Sequence, residues 1–180
     1  AGDKVVVIGG GMIGLLMVQL AKIKGASHVV LLEPVESKRE VGLEMGADIV
    51  IDPIKQDARA ELEKVGIKRV NTVIECVGHP KTIEQAISIA GFQSVVMMFG
   101  LTKPDEVVEV KPFEIFKKEI VLKASFINPC THNRALDLID TGRVDVSSMI
   151  YEVCGLEQLT EILASAELRR NGKYLIDPSK

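Results

Sequence analysis

Six consecutive residues near the start of the chain have the spacing of a turn that could hold a phosphate group. They stand between a β-branched run and a helical pattern, and they read Gly9-Gly10-Gly11-Met12-Ile13-Gly14. Gly9 permits a tight turn, Gly11 lets the backbone approach a diphosphate closely, and Gly14 lets the following helix pack against the strand. The N-terminus of that helix offers N–H groups and partial positive charge to the anion. A purely structural turn is the alternative, but the flanking strand and helix favour binding.

One acidic residue follows the turn at the distance where a ribose would be recognised. Glu33 ends the second apolar run, about 20 residues after Gly14. A carboxylate accepts hydrogen bonds from the 2′- and 3′-hydroxyls of an adenosine ribose, and it repels a 2′-phosphate. The turn and Glu33 therefore predict an NAD(H) site rather than an NADP(H) site; a solvated strand-end charge is the alternative for Glu33. Lys38 and Arg39 could reach the ribose or the adenine, although we expect Arg39 to be an ordinary surface charge.

Strand-like and helix-like patterns alternate along most of the chain. Short β-branched runs are separated by segments with apolar residues three and four positions apart, which is typical of helices packed on one face. Strands this apolar are typical of parallel strands buried on both faces. The alternation predicts an α/β fold with a doubly wound, parallel, six-stranded Rossmann sheet over residues 1–127. The predicted strands are 4–8, 28–32, 48–51, 70–77, 93–99 and 120–126, and the predicted helices are 12–24, 36–45, 57–65, 80–90 and 112–118.

Residues 128–180 form a second segment with a different pattern. We expect a C-terminal α/β segment, in which the sequence predicts helices over 131–141 and 156–167 and strands over 150–153 and 173–176. These strands could extend the first sheet or belong to another domain, and the sequence leaves both possibilities open.

Composition excludes several classes of protein. The chain has 22 Lys and Arg against 25 Asp and Glu, without a dense basic cluster, which argues against a surface that tracks nucleic-acid phosphates. Its most apolar stretch, 5–21, is interrupted by glycines and Gln19, so we expect no membrane span, and no charged leader precedes it. Three cysteines without CxxC spacing predict free thiols in a reducing compartment, the cytoplasm.

The cysteines and histidines predict neither a catalytic residue nor a metal site in this chain. Cys130 and His132 lie two residues apart, and a turn at a helix start explains them better than two metal ligands without partners. Cys76 is predicted to be a small apolar residue at a strand end rather than a nucleophile. His79 precedes a proline and should be extended, and His28 should be structural.

In their order, these features resemble the medium-chain dehydrogenase/reductase family, particularly its zinc-dependent alcohol, sorbitol, butanediol and threonine dehydrogenase branch. The resemblance covers essentially the whole chain. Besides the glycine turn it rests on Gly2-Asp3-Lys4-Val5, Glu33-Pro34 followed by Lys38, Met45-Gly46-Ala47-Asp48, Glu75-Cys76-Val77-Gly78, Phe99-Gly100 and Gly172-Lys173-Tyr174. Each motif is loose by itself, whereas the ordered set is specific.

The resemblance implies further contacts with the cofactor. It assigns Lys38 to the adenosine ribose. Around the nicotinamide ring and its carboxamide it places Cys76, Val77, Phe99, Gly100, Leu101, Ser125 and Phe126. The predicted cofactor site is completed by Gly9, Gly11, Met12, Ile13, Gly14 and Glu33.

The resemblance also implies an enzyme that transfers hydride between NAD and a small secondary alcohol or polyol, assisted by zinc. Members of this branch bind zinc in an N-terminal domain, and neither the Gly-His-Glu motif nor the structural-zinc cysteine run of that domain occurs here. We therefore expect the chain to begin at the domain junction and residues 128–180 to return to the absent catalytic domain. We expect this chain to bind NAD(H) without activity of its own. Homo-oligomers through sheet edges, around 107–116, are also implied.

Two other hypotheses remain open. The chain could be the coenzyme domain of a zinc-free quinone or enoyl reductase; such enzymes generally use NADPH, and Glu33 counts against them. It could also be a non-catalytic NAD-binding module, although no regulatory or DNA-binding motif accompanies the glycine turn.

Overall fold

The computed structural model describes residues 1–127, 130–165, 167–168 and 172–180. Its centre is a parallel sheet of six strands in the order β3-β2-β1-β4-β5-β6. The chain starts in the middle of the sheet, runs outward to β3, and then crosses β1 to build the other half. The predicted α/β fold with a doubly wound parallel sheet is therefore confirmed. The strands are β1 Lys4–Ile8, β2 His28–Leu32, β3 Ile49–Ile51, β4 Thr72–Glu75, β5 Val95–Met98 and β6 Val121–Ala124.

The helices that cross over the sheet lie where the 3.6-residue patterns predict them, within one or two residues at each end. Local chemistry explains two of the starts: the Asp57 carboxylate accepts the N–H of Ala60 at 2.7 Å, and Pro80 occupies the first turn of its helix. No helix in the described ranges is long and apolar enough to cross a membrane. The helices are α1 Met12–Ile23, α2 Glu36–Glu44, α3 Ala58–Lys64, α4 Pro80–Ile89 and α5 Pro112–Lys118.

The core lies on both faces of the sheet. Alternation along β1 sends Val6 and Ile8 to the side of α3 and α4, and Val5 and Val7 to the side of α1. The apolar runs of the sequence are longer than the paired strands, since residues such as Val70 are buried in the core before the pairing begins. The strands predicted over 70–77 and 93–99 are therefore too long by one or two residues at each end.

β6 departs from this pattern. All four of its residues are exposed, although the sequence predicts a strand buried on both faces. That prediction is wrong for β6 because the strand forms the edge of the sheet, pairs only with β5, and is covered by no layer of the described chain. We call the exposed surface formed by β6 and the helix before it the apolar edge; its residues are Phe113, Phe116, Val121 and Leu122.

The C-terminal segment builds a separate sheet. β7 and β8 pair with each other in parallel, so they do not extend the six-stranded sheet. The helix predicted over 156–167 is divided into a 3-10 turn, Leu156–Gln158, and a short α-helix; residue 166 of that prediction lies outside the described residues. So do residues 128 and 129, beside the predicted boundary of the two segments. The elements are α6 His132–Asp140, β7 Ile150–Cys154, α7 Leu159–Ala164 and β8 Lys173–Ile176.

A buried glutamine ties this C-terminal segment to the large sheet. The side chain of Gln19, on α1, donates from Nε2 to the carbonyl oxygen of Asp145 at 2.8 Å and accepts the N–H of Asp145 on Oε1 at 2.7 Å. Met149 extends the contact, because it is buried in the core on the α1 face. The segment is therefore docked on α1.

We predict that Gln19→Ala loosens this docking. The substitution leaves the N–H and C=O of Asp145 without their partner, at a cost of about 1–3 kcal/mol. Hydrogen exchange followed by mass spectrometry should show faster exchange in peptides covering 143–150, with β1 and β4 unchanged.

Gln93→Ala is the matched control, because it removes a hydrogen bond to Glu119 that is exposed. It should leave exchange over 143–150 as in the unsubstituted chain. Unchanged exchange in Gln19→Ala would show that the glutamine does not hold the segment.

Candidate functional site

The carboxyl ends of four strands meet at one edge of the large sheet. Ile8, Glu75, Met98 and Ala124 each end a strand, and they are successive partners across the sheet. The segments that follow these residues therefore leave the sheet side by side; they are 9–14, 76–78, 99–101 and 125–126. In a doubly wound sheet this edge is where ligands bind. All the segments that the sequence analysis assigns to the cofactor lie along it or at the neighbouring end of β2.

The glycine turn connects β1 to α1 by close backbone contact. Gly9 has φ +99°, which favours glycine, and its N–H donates to the carbonyl oxygen of Leu32 at 2.8 Å. A Cβ at position 14 would lie 1.7 Å from the Gly9 oxygen, so only glycine fits there. A Cβ at position 11, in contrast, would meet no atom within 4 Å. The turn is thus tight where the helix meets the strand and open at Gly11, where a diphosphate could approach.

The carboxylate of Glu33 is directed at this turn. The residue is only 6% exposed at the end of β2. Oε2 accepts the N–H of Gly10 at 2.6 Å, and Oε1 accepts the N–H of Val35 at 2.9 Å. An ionised carboxylate can accept further hydrogen bonds, because its two oxygens carry about four lone-pair sites. Glu33 is therefore a fixed anion beside the turn and not a freely solvated charge.

Arg39 is not the ordinary surface charge that the sequence predicts. Its Nη1 donates to the carbonyl oxygens of Glu33 and Pro34, each at 2.8 Å, and its side chain is only 15% exposed. The same nitrogen lies 3.6 Å from Oδ2 of Asp52, after β3. Burial raises the pKa of Asp52, but the N–H groups of Ile54 and Lys55 and the neighbouring cations outweigh it, so the pKa is lowered overall. Arg39 therefore joins the ends of β2 and β3.

A cleft of about 220 Å³ lies in front of the glycine turn. One wall consists of the start of α1 and of α2, including Lys38. The other wall comes from the C-terminal segment and includes Ser148, Met149 and Lys173. Lys38 and Lys173 add two positive charges to the partial charge at the N-terminus of α1, so the cleft suits an anion.

The sequence analysis assigned no role to Lys173 or Ser148. The only available signal was the motif that contains Lys173. The cleft exists only because the fold places β8 and a 3-10 turn before β7, Ser147–Met149, opposite α1.

The other half of the edge is formed by two loops packed against each other. A Cβ on Gly78 would lie 2.5 Å from the carbonyl oxygen of Leu101, and one on Gly100 would lie 2.1 Å from the nitrogen of Gly78. Val77 and Leu101 themselves are exposed. The segments predicted to surround the nicotinamide are therefore in mutual contact and present exposed side chains. Phe126 is also exposed and follows Ser125 at the end of β6.

Glu75 is a second buried carboxylate on this edge. Its side chain is fully buried, and Oε1 accepts hydrogen bonds from the N–H groups of Val77 and Gly78 and from the hydroxyl of Thr82. The sequence analysis quoted Glu75 only as part of a motif. A strand-end glutamate is usually solvated, so no local signal distinguished it.

The chemistry of Cys76 and His79 is consistent with the structural roles predicted for them. Burial, and then the charge of Glu75, raises the pKa of the Cys76 thiol to about 12, so the thiolate is scarce at neutral pH. Nδ1 of His79, assigned as the acceptor, receives the N–H of Lys81 at 3.2 Å at the start of α4. Cys130 is exposed and His132 begins α6. Within the described ranges, no three His, Cys, Asp or Glu side chains converge as metal ligands would.

The fold and the glycine turn define an α/β protein of the doubly wound class, and comparison with known proteins gives its family. Residues 12–141 match the zinc-binding dehydrogenase family. Scyllo-inosose 3-dehydrogenase of Thermotoga maritima is 31% identical over 168 residues, which cover 90% of this chain and 42% of that protein. The structure of a zinc-binding dehydrogenase of Sinorhizobium meliloti bound to NADP is 35% identical, with a TM-score of 0.94, over 99% of this chain and 53% of that chain. The structure of 2R,3R-butanediol dehydrogenase of Bacillus subtilis is 26% identical, with a TM-score of 0.86, over 99% of this chain and 51% of that one.

The chain belongs to the zinc-binding dehydrogenase family, as its resemblance to the medium-chain dehydrogenases predicts. It spans about half the length of the relatives it matches.

We predict a large difference in reactivity among the three thiols. Cys130 is exposed, whereas Cys76 is partly buried and Cys154 is buried, and burial raises the pKa of both of the latter. At pH 8, iodoacetamide should alkylate Cys130 at least about tenfold faster than the other two, because the thiolate is the reacting form. Peptide mass spectrometry measures the three rates separately. In urea the rates should converge, and folded-state alkylation of Cys76 as fast as that of Cys130 would contradict the assigned pKa.

Proposed function

We propose that the chain is the coenzyme-binding part of an enzyme that transfers hydride between NAD and a secondary alcohol or polyol. The observation that carries the proposal is the Glu33 carboxylate, held beside the glycine turn by the N–H of Gly10 at 2.6 Å. It puts a ribose-binding anion next to a turn that is open at Gly11. The dehydrogenase relatives supply the reaction class.

The residues of the chain fit the parts of the cofactor in order along the edge. The diphosphate would lie at the turn, where the first turn of α1 and Lys173 line the cleft. The adenosine ribose would meet Glu33 and, on the wall formed by α2, Lys38. The other half of the molecule would extend over the loops after β4 and β5, toward Val77 and Leu101. When bound, the nicotinamide ring accepts or donates the hydride, and the chain itself binds and orients the cofactor.

NAD is favoured over NADP by the charges around the ribose position. Glu33 repels an additional phosphate on the 2′-hydroxyl. Arg39, a potential partner for such a phosphate, is already bound to two backbone oxygens and lies near Asp52. The Sinorhizobium meliloti relative binds NADP, which makes NADPH the informative competitor.

Calorimetric titration with NADH and with NADPH tests the assignment. The unsubstituted chain should bind NADH more tightly. Glu33→Ala should weaken NADH binding by roughly ten- to a hundredfold, because hydrogen bonds to a charged group contribute about 1.5–3 kcal/mol.

Two variants separate charge from geometry in this titration. Glu33→Gln keeps an acceptor for the N–H of Gly10 and removes the negative charge. It should therefore reduce the difference between the affinities for NADH and NADPH. Glu40→Gln removes an exposed charge on α2 and should alter neither affinity. Tighter binding of NADPH by the unsubstituted chain would overturn the role of Glu33 and favour a reductase that uses NADPH.

We also propose that zinc and the substrate-binding groups belong to the part of the parent enzyme outside this chain. Zinc would polarise the alcohol oxygen there and favour the alkoxide. On this proposal the chain binds NAD(H) but does not oxidise alcohols by itself, and residues 128–180 contact both the cofactor cleft and the catalytic domain. Its three free cysteines support a cytoplasmic location.

The apolar edge supports a homodimer. β6 exposes its unpaired backbone groups and its apolar side chains together, and Phe116 is 80% exposed on the preceding helix. A second copy related by a twofold axis could pair with β6 and cover both the backbone groups and the apolar side chains. The region 107–116 predicted from the resemblance includes Phe113 and Phe116 of this surface.

Light scattering should give a mass near twice the 19.6 kDa of one chain. Phe116→Asp should shift the mass toward a single chain, since it places a charge in the dimer contact without disturbing the core. Phe92→Asp, at another exposed phenylalanine, is the control and should leave the mass unchanged. A single-chain mass for the unsubstituted protein at high concentration would contradict the dimer.

A further inference from the structure

We propose that Glu75 is a positioning residue that fixes the nicotinamide half of the cofactor site. This inference rests on the proposed NAD(H)-binding function. It assigns to one buried residue, through its carboxylate and its backbone carbonyl, the task of holding the two loops that would surround the reacting ring.

The carboxylate of Glu75 organises the loop after β4. Oε1 accepts the N–H of Val77 at 2.8 Å, the N–H of Gly78 at 2.9 Å and the hydroxyl of Thr82 at 2.9 Å. The last contact fixes the loop to the first turn of α4. Val77 remains exposed above this network, so its position depends on the anion beneath it.

The backbone of the same residue organises the loop after β5. The carbonyl oxygen of Glu75 accepts both the N–H of Phe99 and the N–H of Gly100, each at 2.9 Å. The two loops are then locked together where Gly78 meets Leu101. One residue therefore sets the position of both segments.

Core packing alone does not require a carboxylate here. Ile8 and Met98, which end the two neighbouring strands at the same level, are apolar. A buried carboxylate carries a desolvation cost that its hydrogen bonds must offset. In the described part of the chain, Oε2 is buried without a hydrogen-bond partner, so that cost is only partly offset. The Glu75 carboxylate is unfavourable to bury, yet it lies at the edge of the site and shapes two loops. A role in ligand binding explains it more readily than a contribution to folding stability.

The adenosine half of the site has separate supports. Glu33 holds the N–H of Gly10, and Gly14 packs on Gly9. The turn touches the loop after β4, since a Cβ on Gly9 would lie 2.8 Å from Cγ2 of Val77, whereas the Glu75 carboxylate is bonded to Val77, Gly78 and Thr82. A change at Glu75 should therefore weaken the binding of ligands that contain nicotinamide more than the binding of ligands that lack it.

The experiment compares the affinity of the full chain for NADH with its affinity for ADP-ribose, which lacks the nicotinamide. The unsubstituted chain should bind NADH more tightly. Glu75→Leu should reduce this preference by about tenfold while ADP-ribose affinity stays within about twofold. Glu75→Gln should retain most of the preference, because its amide oxygen remains an acceptor for the N–H groups of Val77 and Gly78. The shift in NADH fluorescence on binding should likewise be retained in Glu75→Gln and reduced in Glu75→Leu.

A second pair of variants covers the case in which Glu75→Leu does not fold. Thr82→Val removes one of the three donors and should reduce the preference about threefold, whereas Thr82→Ser should retain it. An unchanged preference in Thr82→Val would overturn the proposal, as would an equal loss of both ligands in Glu75→Leu. If the unsubstituted chain binds NADH no better than ADP-ribose, the positioning role fails and NAD binding stands. If it binds neither, the proposed function itself fails.

Discussion

The contact between Gly14 and the carbonyl oxygen of Gly9 is the constraint on which the rest of the site depends. Because no side chain separates them, α1 starts directly at the end of β1. The positive end of the helix is thereby placed beside the sheet edge at which the other parallel strands also end. A larger residue at position 14 would move the helix away and open the turn that Glu33 contacts.

The sequence predicts the parts of the fold that depend on local pattern. Apolar β-branched runs and 3.6-residue patterns located the strands and helices, and the spacing between Gly14 and Glu33 located two contacting parts of the site. The exposure of β6 could not be predicted, since an apolar run reads the same in the middle of a sheet and at its edge. Its position at the edge follows only from the strand order.

Side chains that act across long sequence separations were also beyond local pattern. In the sequence, Arg39 resembles any other cation on a helix. In the structure, its guanidinium donates to the carbonyl oxygens of Glu33 and Pro34 after β2. In the sequence, Lys173 is a residue after a glycine in an ordinary predicted strand. In the structure, the hydrogen bonds between Gln19 and Asp145 hold the C-terminal segment over the glycine turn, and Lys173 lines the cleft there. Arg39 contacts backbone groups and Lys173 lines a cleft, and neither kind of contact can be recognised from the types of the neighbouring residues.

The two buried glutamates show a common construction on either side of β1. Glu33 directly follows β2 and Glu75 ends β4, and β2 and β4 are the two strands that pair with β1. Each carboxylate accepts N–H groups from the loop that follows its own strand, and Glu33 also accepts one from the turn after β1. Some loop N–H groups at this edge bond to strand carbonyl oxygens, and for Gly10, Val77 and Gly78 a strand-end carboxylate is the acceptor instead. The difference between the two is exposure: Glu33 lies beside the open turn, where a ligand can share its oxygens, whereas Glu75 is sealed beneath its loop. The first can therefore recognise a ligand directly, and the second can act only through the backbone that it holds.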